Sequence, residues 1–210
     1  MGYCVIIAIL ILIIFVVIAA IAFGITDSTN TPWIFEAPEK RAGRLGEYEA
    51  TGAIESVLRE DDYLFTNISI SYEDQQTELD NVVVNKYGVF IIEAKNYKGR
   101  LVGEEDDYKW VKYKEDGYGN TFKKEVRNPI KQVKRQIHIL SKYLENHDER
   151  TWIEGYAILI EGNSPVESNY ILKSTNAIDE AIHTPGRQPL SKQKIEKIKK
   201  ILSEAKTKGL

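Results

Sequence analysis

Two carboxylates and one lysine stand at the ends of two strongly apolar segments. Asp80 precedes the segment Val82–Val84, and Glu93 and Lys95 follow the segment Val89–Ile92. A carboxylate pair can hold a hard divalent cation through its oxygens. A lysine beside that cation has a lowered pKa and can position or deprotonate a water, while the metal carries charge that develops on a phosphodiester oxygen. These residue types predict metal-dependent phosphodiester hydrolysis, although a Glu-x-Lys pair is also a common ion pair at a strand end.

The turn Asn85–Gly88 between the two segments decides whether these groups meet. Glu93 and Lys95 are two residues apart, so on a strand they face the same side. A two- or four-residue loop sets Asp80 across from Glu93 on that side. Asn-x-x-Gly also suits a three-residue loop with a glycine bulge, which shifts the register by one and turns Asp80 away. In that case only a bend near Leu79–Asn81 would bring the carboxylates together.

Two helices are predicted to flank this hairpin. The first runs from about Ala42 to Glu60, and Glu47 projects onto its apolar face. A carboxylate there either reaches out to water at the edge or enters a site beneath the helix. The second helix has Asn128 as its N-cap and Pro129 in its first position, and it carries Gln132 on the flank of its apolar stripe.

Further strands alternate with these helices. Apolar and alternating patterns predict strands at "YLFTNISISY", "RLVG", "YKWVKYK", Trp152–Ile160 and "NYILKS", with "EDGYGN" as a turn. The end of the chain, "SKQKIEKIKKILSEAK", is predicted to form an amphipathic helix. The order of elements predicts an α/β fold with helices around a mixed sheet.

The N-terminal segment has a different character. The first 26 residues contain no charged side chain, and residues 5–25 are apolar apart from Gly24. At about 1.5 Å per residue this run spans a hydrocarbon core of roughly 30 Å, which predicts one transmembrane helix. A secretory signal peptide is the alternative, but it has a basic start and a shorter apolar core. The positive-inside rule then predicts that the C-terminal domain is cytoplasmic, because the basic residues Lys40, Arg41 and Arg44 follow the run.

The chain is therefore expected to divide into three parts. Residues 1–26 are the transmembrane helix, residues 27–41 a juxtamembrane linker, and residues 42–210 a globular domain. The single cysteine, Cys4, lies in the first part, so the domain has neither a disulfide nor a cysteine nucleophile.

Charge is unevenly distributed in the domain. The net charge of −3 gives no overall bias toward nucleic acid, but residues 109–135 carry nine basic and three acidic side chains. This segment is either a phosphate-binding face or a solvated surface that acids elsewhere balance.

The site residues occur in an order that resembles the NERD (nuclease-related domain) family, within the PD-(D/E)XK, restriction-endonuclease-like superfamily. The resembling blocks contain, in order, Gly46-Glu47, Asp80, Glu93-Ala94-Lys95 and Asn128-Pro129 with Gln132. They extend from about Gly43 to Leu144. The proline that precedes the aspartate in the superfamily is replaced by Leu79. The resemblance implies a restriction-endonuclease-like mixed sheet flanked by helices.

The resemblance also implies roles in the reaction. Asp80 and Glu93 would bind Mg²⁺ or Mn²⁺, with the carbonyl of Ala94 as an additional candidate ligand. Lys95 would orient or activate the attacking water.

Two helical residues complete the implied set. Glu47 would bind the metal directly or through water. Gln132 would lie near the site and contact the metal-bound water or the nucleic-acid backbone.

Three functional hypotheses follow. The first is a membrane-anchored, magnesium-dependent nuclease that acts on DNA. The second is a non-catalytic module of the same fold, which uses residues 109–135 to hold nucleic acid or a protein at the membrane. The third is a scaffold in which the acids and lysines form only ion pairs.

Overall fold

A computed structural model describes residues 37–185 and 189–208. Within those ranges the chain forms four helices and eight strands. The helices are α1 (Pro38–Glu55), α2 (Pro129–Glu145), α3 (Thr175–His183) and α4 (Lys192–Lys208). The strands are β1 (Tyr63–Tyr72), β2 (Gln75–Asn85), β3 (Gly88–Lys95), β4 (Arg100–Val102), β5 (Lys109–Glu115), β6 (Thr121–Arg127), β7 (Ile153–Leu159) and β8 (Ile171–Leu172).

The N-terminal predictions fall largely outside these ranges. The expected transmembrane helix, residues 5–25, is not among the described residues, and the linker is described only from residue 37. Residues before Ala42 belong to a separate unit. None of the helices in the described part of the chain is long and apolar enough to cross a bilayer.

The main sheet has five strands in the order β1-β2-β3-β7-β8. Strands β1, β2 and β3 are antiparallel neighbours, whereas β7 runs parallel to both β3 and β8. The chain returns from β3 to the parallel strand β7 through α2, as a parallel connection requires. The prediction of a mixed α/β sheet flanked by helices is therefore confirmed.

The β2–β3 turn has the even register. Asn85 pairs with Gly88, so the loop consists of only two residues, and the ladder continues to the pair Asn81–Ile92. The side-chain oxygen of Asn85 accepts hydrogen bonds from the N–H groups of Tyr87, at 2.9 Å, and Gly88, at 3.3 Å. One further step in this register sets Asp80 across from Glu93.

Helices cover both faces of the main sheet. On one face α2 and α4 pack on β1–β3 through apolar side chains such as Leu140 and Leu202. On the other face Ile54 of α1 and Ile182 of α3 pack on the same strands. Strands β2 and β3 are therefore buried on both sides, as their continuous apolar runs predicted.

A second, three-stranded sheet of order β4-β5-β6 lies between β3 and α2 in the chain. Its anchor is Trp110, which is fully buried against a cluster that includes Ile130 of α2 and Leu159 of β7. The indole N–H donates a hydrogen bond to the Glu104 carbonyl at 2.9 Å. The sequence predicted the first two of these strands but not their separation from the main sheet.

Two helices differ from the sequence prediction. Helix α1 begins at Pro38 and ends at Glu55, rather than spanning Ala42 to Glu60. It ends early because Val57 N–H bonds to the Ile54 carbonyl, at 3.1 Å, three residues back, so the chain tightens and leaves the α-helical path. Helix α3 was not predicted. Its N-cap is Ser174, whose hydroxyl accepts a hydrogen bond from Ala177 N–H at 3.1 Å.

Candidate active site

The carboxylate of Glu93 is the centre of the polar cluster at the end of β3. Its side chain is almost completely buried. One carboxylate oxygen contacts the Lys95 ammonium and accepts a hydrogen bond from Gln132 Nε2 at 2.5 Å. The other oxygen accepts a hydrogen bond from Gln136 Nε2 at 2.6 Å. A buried carboxylate is costly unless it is paired, and here three protein donors supply that pairing.

Helix α2 delivers both glutamines because of how it begins. Asn128 is its N-cap, and the side-chain oxygen accepts a hydrogen bond from Ile130 N–H at 2.9 Å. The Asn128 amide also donates to three carbonyls of the preceding loop, including that of Asp107 at 2.8 Å. This anchor fixes the first turn, so Gln132 and Gln136, four residues apart, share the side that faces β3.

Asp80 reaches the same strand end from β2. Its carboxylate accepts a hydrogen bond from the backbone N–H of Ala94 at 2.9 Å. On its other side, toward β1, the regular pairing is interrupted at Asp80, between the pairs Thr66–Asn81 and Ile68–Leu79. The residue at this gap, Asn67, has a left-handed backbone with φ of 53°. Such an irregularity locally bends a strand pair, and here it lies beside a candidate site residue.

The carboxylates interact unfavourably with one another. Burial, followed by the negative charge of Glu93, raises the pKa of Asp80 to about 7. Burial, followed by the charges of Glu78 and other neighbours including Glu93, also raises the pKa of Glu47. Ionising all the carboxylates of the cluster at once is therefore unfavourable, because they are buried and repel one another.

Lys95 supplies the compensating positive charge. Burial alone would lower the pKa of its ammonium, but the charge of Glu93 and the hydrogen bond to Glu93 outweigh burial and raise it. Without a metal, Lys95 is therefore a protonated donor. The lowered pKa expected beside a metal ion stays a prediction.

Close packing brings Glu47 to the site. The preceding residue, Gly46, lies so near β3 that an added Cβ would stand 2.7 Å from the Cβ of Asn96. Asn96 follows Lys95 directly and donates a hydrogen bond to the Ala42 carbonyl at 2.9 Å. Helix α1 is thus held over the strand end. Glu47 is half-buried there and influences Asp80 electrostatically, without a direct hydrogen bond to it.

Asp80 and Glu93 are the side chains of the cluster that could hold a divalent cation. Across residues 37–185 and 189–208, no three or more His, Cys, Asp or Glu side chains are arranged to hold a metal ion. Asp80 and Glu93 instead form a pair of carboxylates whose mutual repulsion a cation would relieve. Mg²⁺ commonly takes one or two carboxylates and keeps several waters.

The structure brings the site residues that the sequence predicted together at the C-terminal end of the central strand β3. Asp80, Glu93, Lys95 and Gln132 meet there, and Glu47 lies beside them. The N–H of Ala94 is bound to Asp80, while metal binding by the Ala94 carbonyl stays a prediction.

One polar residue of the cluster was missed as a site candidate. Gln136 is fully buried and binds both Glu93 and the Glu78 carbonyl, the latter at 3.0 Å. Its Oε1 atom accepts no hydrogen bond from the described residues. The available signal was its spacing of four from Gln132 on an otherwise apolar flank.

Comparison with known proteins supports a relationship over the same region. Residues 42–160, more than half of the chain, match the profile of a family described as Nuclease-related domain (NERD). An uncharacterized protein of Bacillus anthracis is 26% identical over 109 residues, which are 50% of this chain and 48% of that protein. The chain thus spans about half the length of this relative. No solved structure gives a significant match.

Proposed function

The chain belongs to the nuclease-related domain (NERD) family, and on that premise we propose that it is a metal-dependent nuclease. The observation that carries the proposal is the convergence of Asp80, Glu93 and Lys95 near the C-terminal end of β3, where its pairing with β2 stops. Two repelling carboxylates beside a protonated lysine suit a reaction in which water attacks a phosphodiester and negative charge develops. DNA is the proposed substrate.

Asp80 and Glu93 would hold Mg²⁺ or Mn²⁺, with the Ala94 carbonyl as a further ligand and Glu47 binding directly or through water. The ion would supply Lewis-acid stabilisation of charge on the phosphodiester oxygen. The protein groups would fix the arrangement. The Ala94 N–H holds Asp80 in place, and the N-terminal half of α2 holds Glu93.

The remaining polar side chains have two roles in the proposed reaction: they would orient the attacking water or hold Glu93 in position. The Nζ atom of Lys95 would orient or activate the attacking water. Gln132 would contact that water or the nucleic-acid backbone, because it lies at the exposed end of the pair. Gln136 is a positioning residue, since its fully buried amide reaches Glu93 and a backbone carbonyl.

We also propose that residues 5–25 anchor the protein in a membrane and that the domain lies in the cytoplasm. The support is the uncharged apolar run and the basic residues that follow it. On this proposal the nuclease acts at a membrane surface.

A second candidate is a binding module without catalysis. It is favoured by one observation: both oxygens of Glu93 already accept hydrogen bonds from protein donors. A metal at Glu93 would have to share that carboxylate with Lys95 or the glutamines. Nucleic-acid binding that weakens with salt, without metal-dependent cleavage, would favour this candidate.

The experiment that tests the first proposal compares cleavage of labelled DNA and RNA by the full chain in a non-ionic detergent. Cleavage is expected with Mg²⁺ or Mn²⁺ and not with EDTA. Lys95→Ala should reduce the rate by roughly 10²–10⁴-fold, the contribution of a positioned proton-transfer group. The matched control is Lys86→Ala, at the turn on the opposite end of the same hairpin, which should leave the rate unchanged. Equal rates for the two variants would contradict the proposal.

A further inference from the structure

The two faces of the β5–β6 hairpin differ in charge. Side chains alternate across a strand, and the register pairs Lys112 with Lys124 and Lys114 with Phe122. These four residues share one face, hereafter the lysine face, with Trp110 at its buried base. No acidic residue of either strand points to this face, because the acids of β5 and β6 alternate onto the opposite one.

The opposite face of the hairpin carries two acidic side chains, Glu115 and Glu125, beside its three basic ones, Lys109, Lys123 and Arg127. Lys109 forms an ion pair with Glu125 at 2.6 Å. The Arg100 guanidinium lies 4.6 Å from the centre of the Tyr113 ring. The positive charge of the hairpin is therefore concentrated on the lysine face.

Other basic residues of the segment 109–135 are engaged in the same way. Lys131 pairs with Asp106 at 2.8 Å, and Lys134 pairs with Glu105 at 3.4 Å. These two lysines are therefore already paired with acids of the loop before β5.

The lysine face combines clustered positive charge with an exposed aromatic ring. Lys112 stands directly opposite Lys124, so two positive charges occupy one cross-strand pair. Phe122 is 59% exposed although it is a large apolar side chain. Spaced cations beside an exposed aromatic ring match a single nucleic-acid strand, whose phosphates bind lysines and whose unpaired bases stack on aromatic rings.

The small sheet that contains the hairpin is joined to the candidate active site at both of its ends. The chain enters the small sheet just after Lys95 and leaves it just before α2, which carries Gln132. The Tyr97 hydroxyl donates a hydrogen bond to the Arg127 carbonyl at 3.2 Å, and Asn163 Nδ2 donates to the Tyr97 carbonyl at 2.6 Å. The base of the hairpin is thus fixed at the edge of the site.

We propose that the lysine face docks a single strand of nucleic acid and guides it to the carboxylate site. The lysines contact successive phosphates, and Phe122 stacks on a base. A duplex would hide its base faces from Phe122, so the proposed ligand is an unpaired strand. The choice of partner rests on the proposed function, but binding at this face does not require cleavage.

The test measures binding of the full chain in a non-ionic detergent with EDTA, so that no metal-dependent cleavage contributes. The probe is a fluorescent oligothymidylate of about twelve nucleotides, within the usual site size of such surfaces. The variants are the double substitution Lys112→Gln/Lys114→Gln and the single substitution Phe122→Ser. The control is Lys123→Gln, which removes one positive charge from the opposite face of the same hairpin.

We expect the double variant to bind roughly tenfold more weakly and to lower the salt slope by about 0.7 for each lysine. Lys123→Gln should change affinity by less than about twofold. Phe122→Ser should weaken binding of the oligothymidylate but not of an abasic strand of the same length, because only the former offers bases to stack.

Three results would overturn the proposal. The first is an equal loss of affinity in the double variant and in Lys123→Gln. The second is tighter binding of duplex than of single strand. The third is equal competition by a polyglutamate of the same charge, which would make the face a general polyanion surface. Loss of binding in the double variant together with no metal-dependent cleavage by the unsubstituted chain would contradict the nuclease proposal and leave the docking surface intact.

Discussion

The Asp80 carboxylate accepts a hydrogen bond from the backbone N–H of Ala94 at 2.9 Å. The Asp80 side chain thereby replaces a backbone hydrogen bond at the point where the pairing of β2 with β3 stops. The contact holds Asp80 beside Glu93, which precedes Ala94 in the chain. It therefore links the register of the hairpin to the burial of Asp80 and its repulsion by Glu93, which together raise the pKa of Asp80.

The first prediction concerns stability without divalent cations. The pKa of Asp80 is about 7 in the folded protein and near its ordinary value of 3.8 when unfolded. The folded state therefore binds the proton more tightly, so this contribution to stability is complete below about pH 4 and is lost as pH rises through 7. Asp80→Asn removes the titration while keeping an acceptor for Ala94 N–H.

Urea unfolding of the unsubstituted chain and of Asp80→Asn, both in EDTA, tests this pH dependence. Relative to Asp80→Asn, the unsubstituted chain should lose up to about 4 kcal/mol of unfolding free energy between pH 4 and pH 8. A difference between the two proteins that does not change with pH would show that Asp80 does not titrate in this range.

The second prediction concerns Gln136. Gln136→Leu leaves Glu93 Oε2 and the Glu78 carbonyl short of a donor, which costs roughly 1–3 kcal/mol. The cost is partly offset because the substitution also removes the buried Oε1 that lacks a donor. Activity should fall further, by roughly 10–100-fold, since Glu93 loses a group that orients it.

Metal titration of the cleavage rate separates these effects. The Mg²⁺ concentration for half-maximal rate should rise in Gln136→Leu and stay constant in the exposed control Gln193→Leu. A variant that is only less stable, with an unchanged metal requirement, would assign Gln136 a purely structural role.

The third prediction uses two glycines of α1. Gly46→Ala places a Cβ 2.7 Å from the Cβ of Asn96, so the helix must move away from the strand end that carries Lys95. Overpacking of this kind costs about 1–3 kcal/mol, and cleavage should fall because Glu47 moves with the helix. Gly52→Ala meets no atom within 4 Å and should stabilise the helix by roughly 0.5–1 kcal/mol. Thermal unfolding and cleavage rates of both variants test this, and similar behaviour of the two would contradict the close-packing explanation.

The sequence predicted the elements of the site better than their connections. Continuous apolar runs identified β2 and β3, and Asn128-Pro129 identified the start of α2, because these are local signals. The turn at Asn85–Gly88 allowed both registers. The observed one depends on Asn85 bonding two N–H groups of its own turn and on the packing of both strand faces, which local residue types do not determine.

Features that depend on distant partners were not predicted. Helix α3 is short, so its sequence gives only a weak helical pattern. Its apolar residues Ile178 and Ile182 are buried because they pack on the strands of the main sheet. The small sheet is separate from the main one, and its Trp110 packs against apolar residues of α2 and β7. The burial of Gln136 likewise requires Glu93 beneath it, so its spacing alone did not distinguish it from a surface residue.

The most direct test of the proposed metal-dependent hydrolysis is the cleavage rate of Glu93→Gln in Mg²⁺. The substitution keeps the shape of the side chain but removes the charge that would bind the metal and that pairs with Lys95. Glu180→Gln, an exposed carboxylate on α3, is the control, and circular dichroism verifies that both variants are folded. We predict a rate at least about a hundredfold lower for Glu93→Gln and an unchanged rate for the control. Cleavage by folded Glu93→Gln at the rate of the unsubstituted chain would contradict the proposed active site.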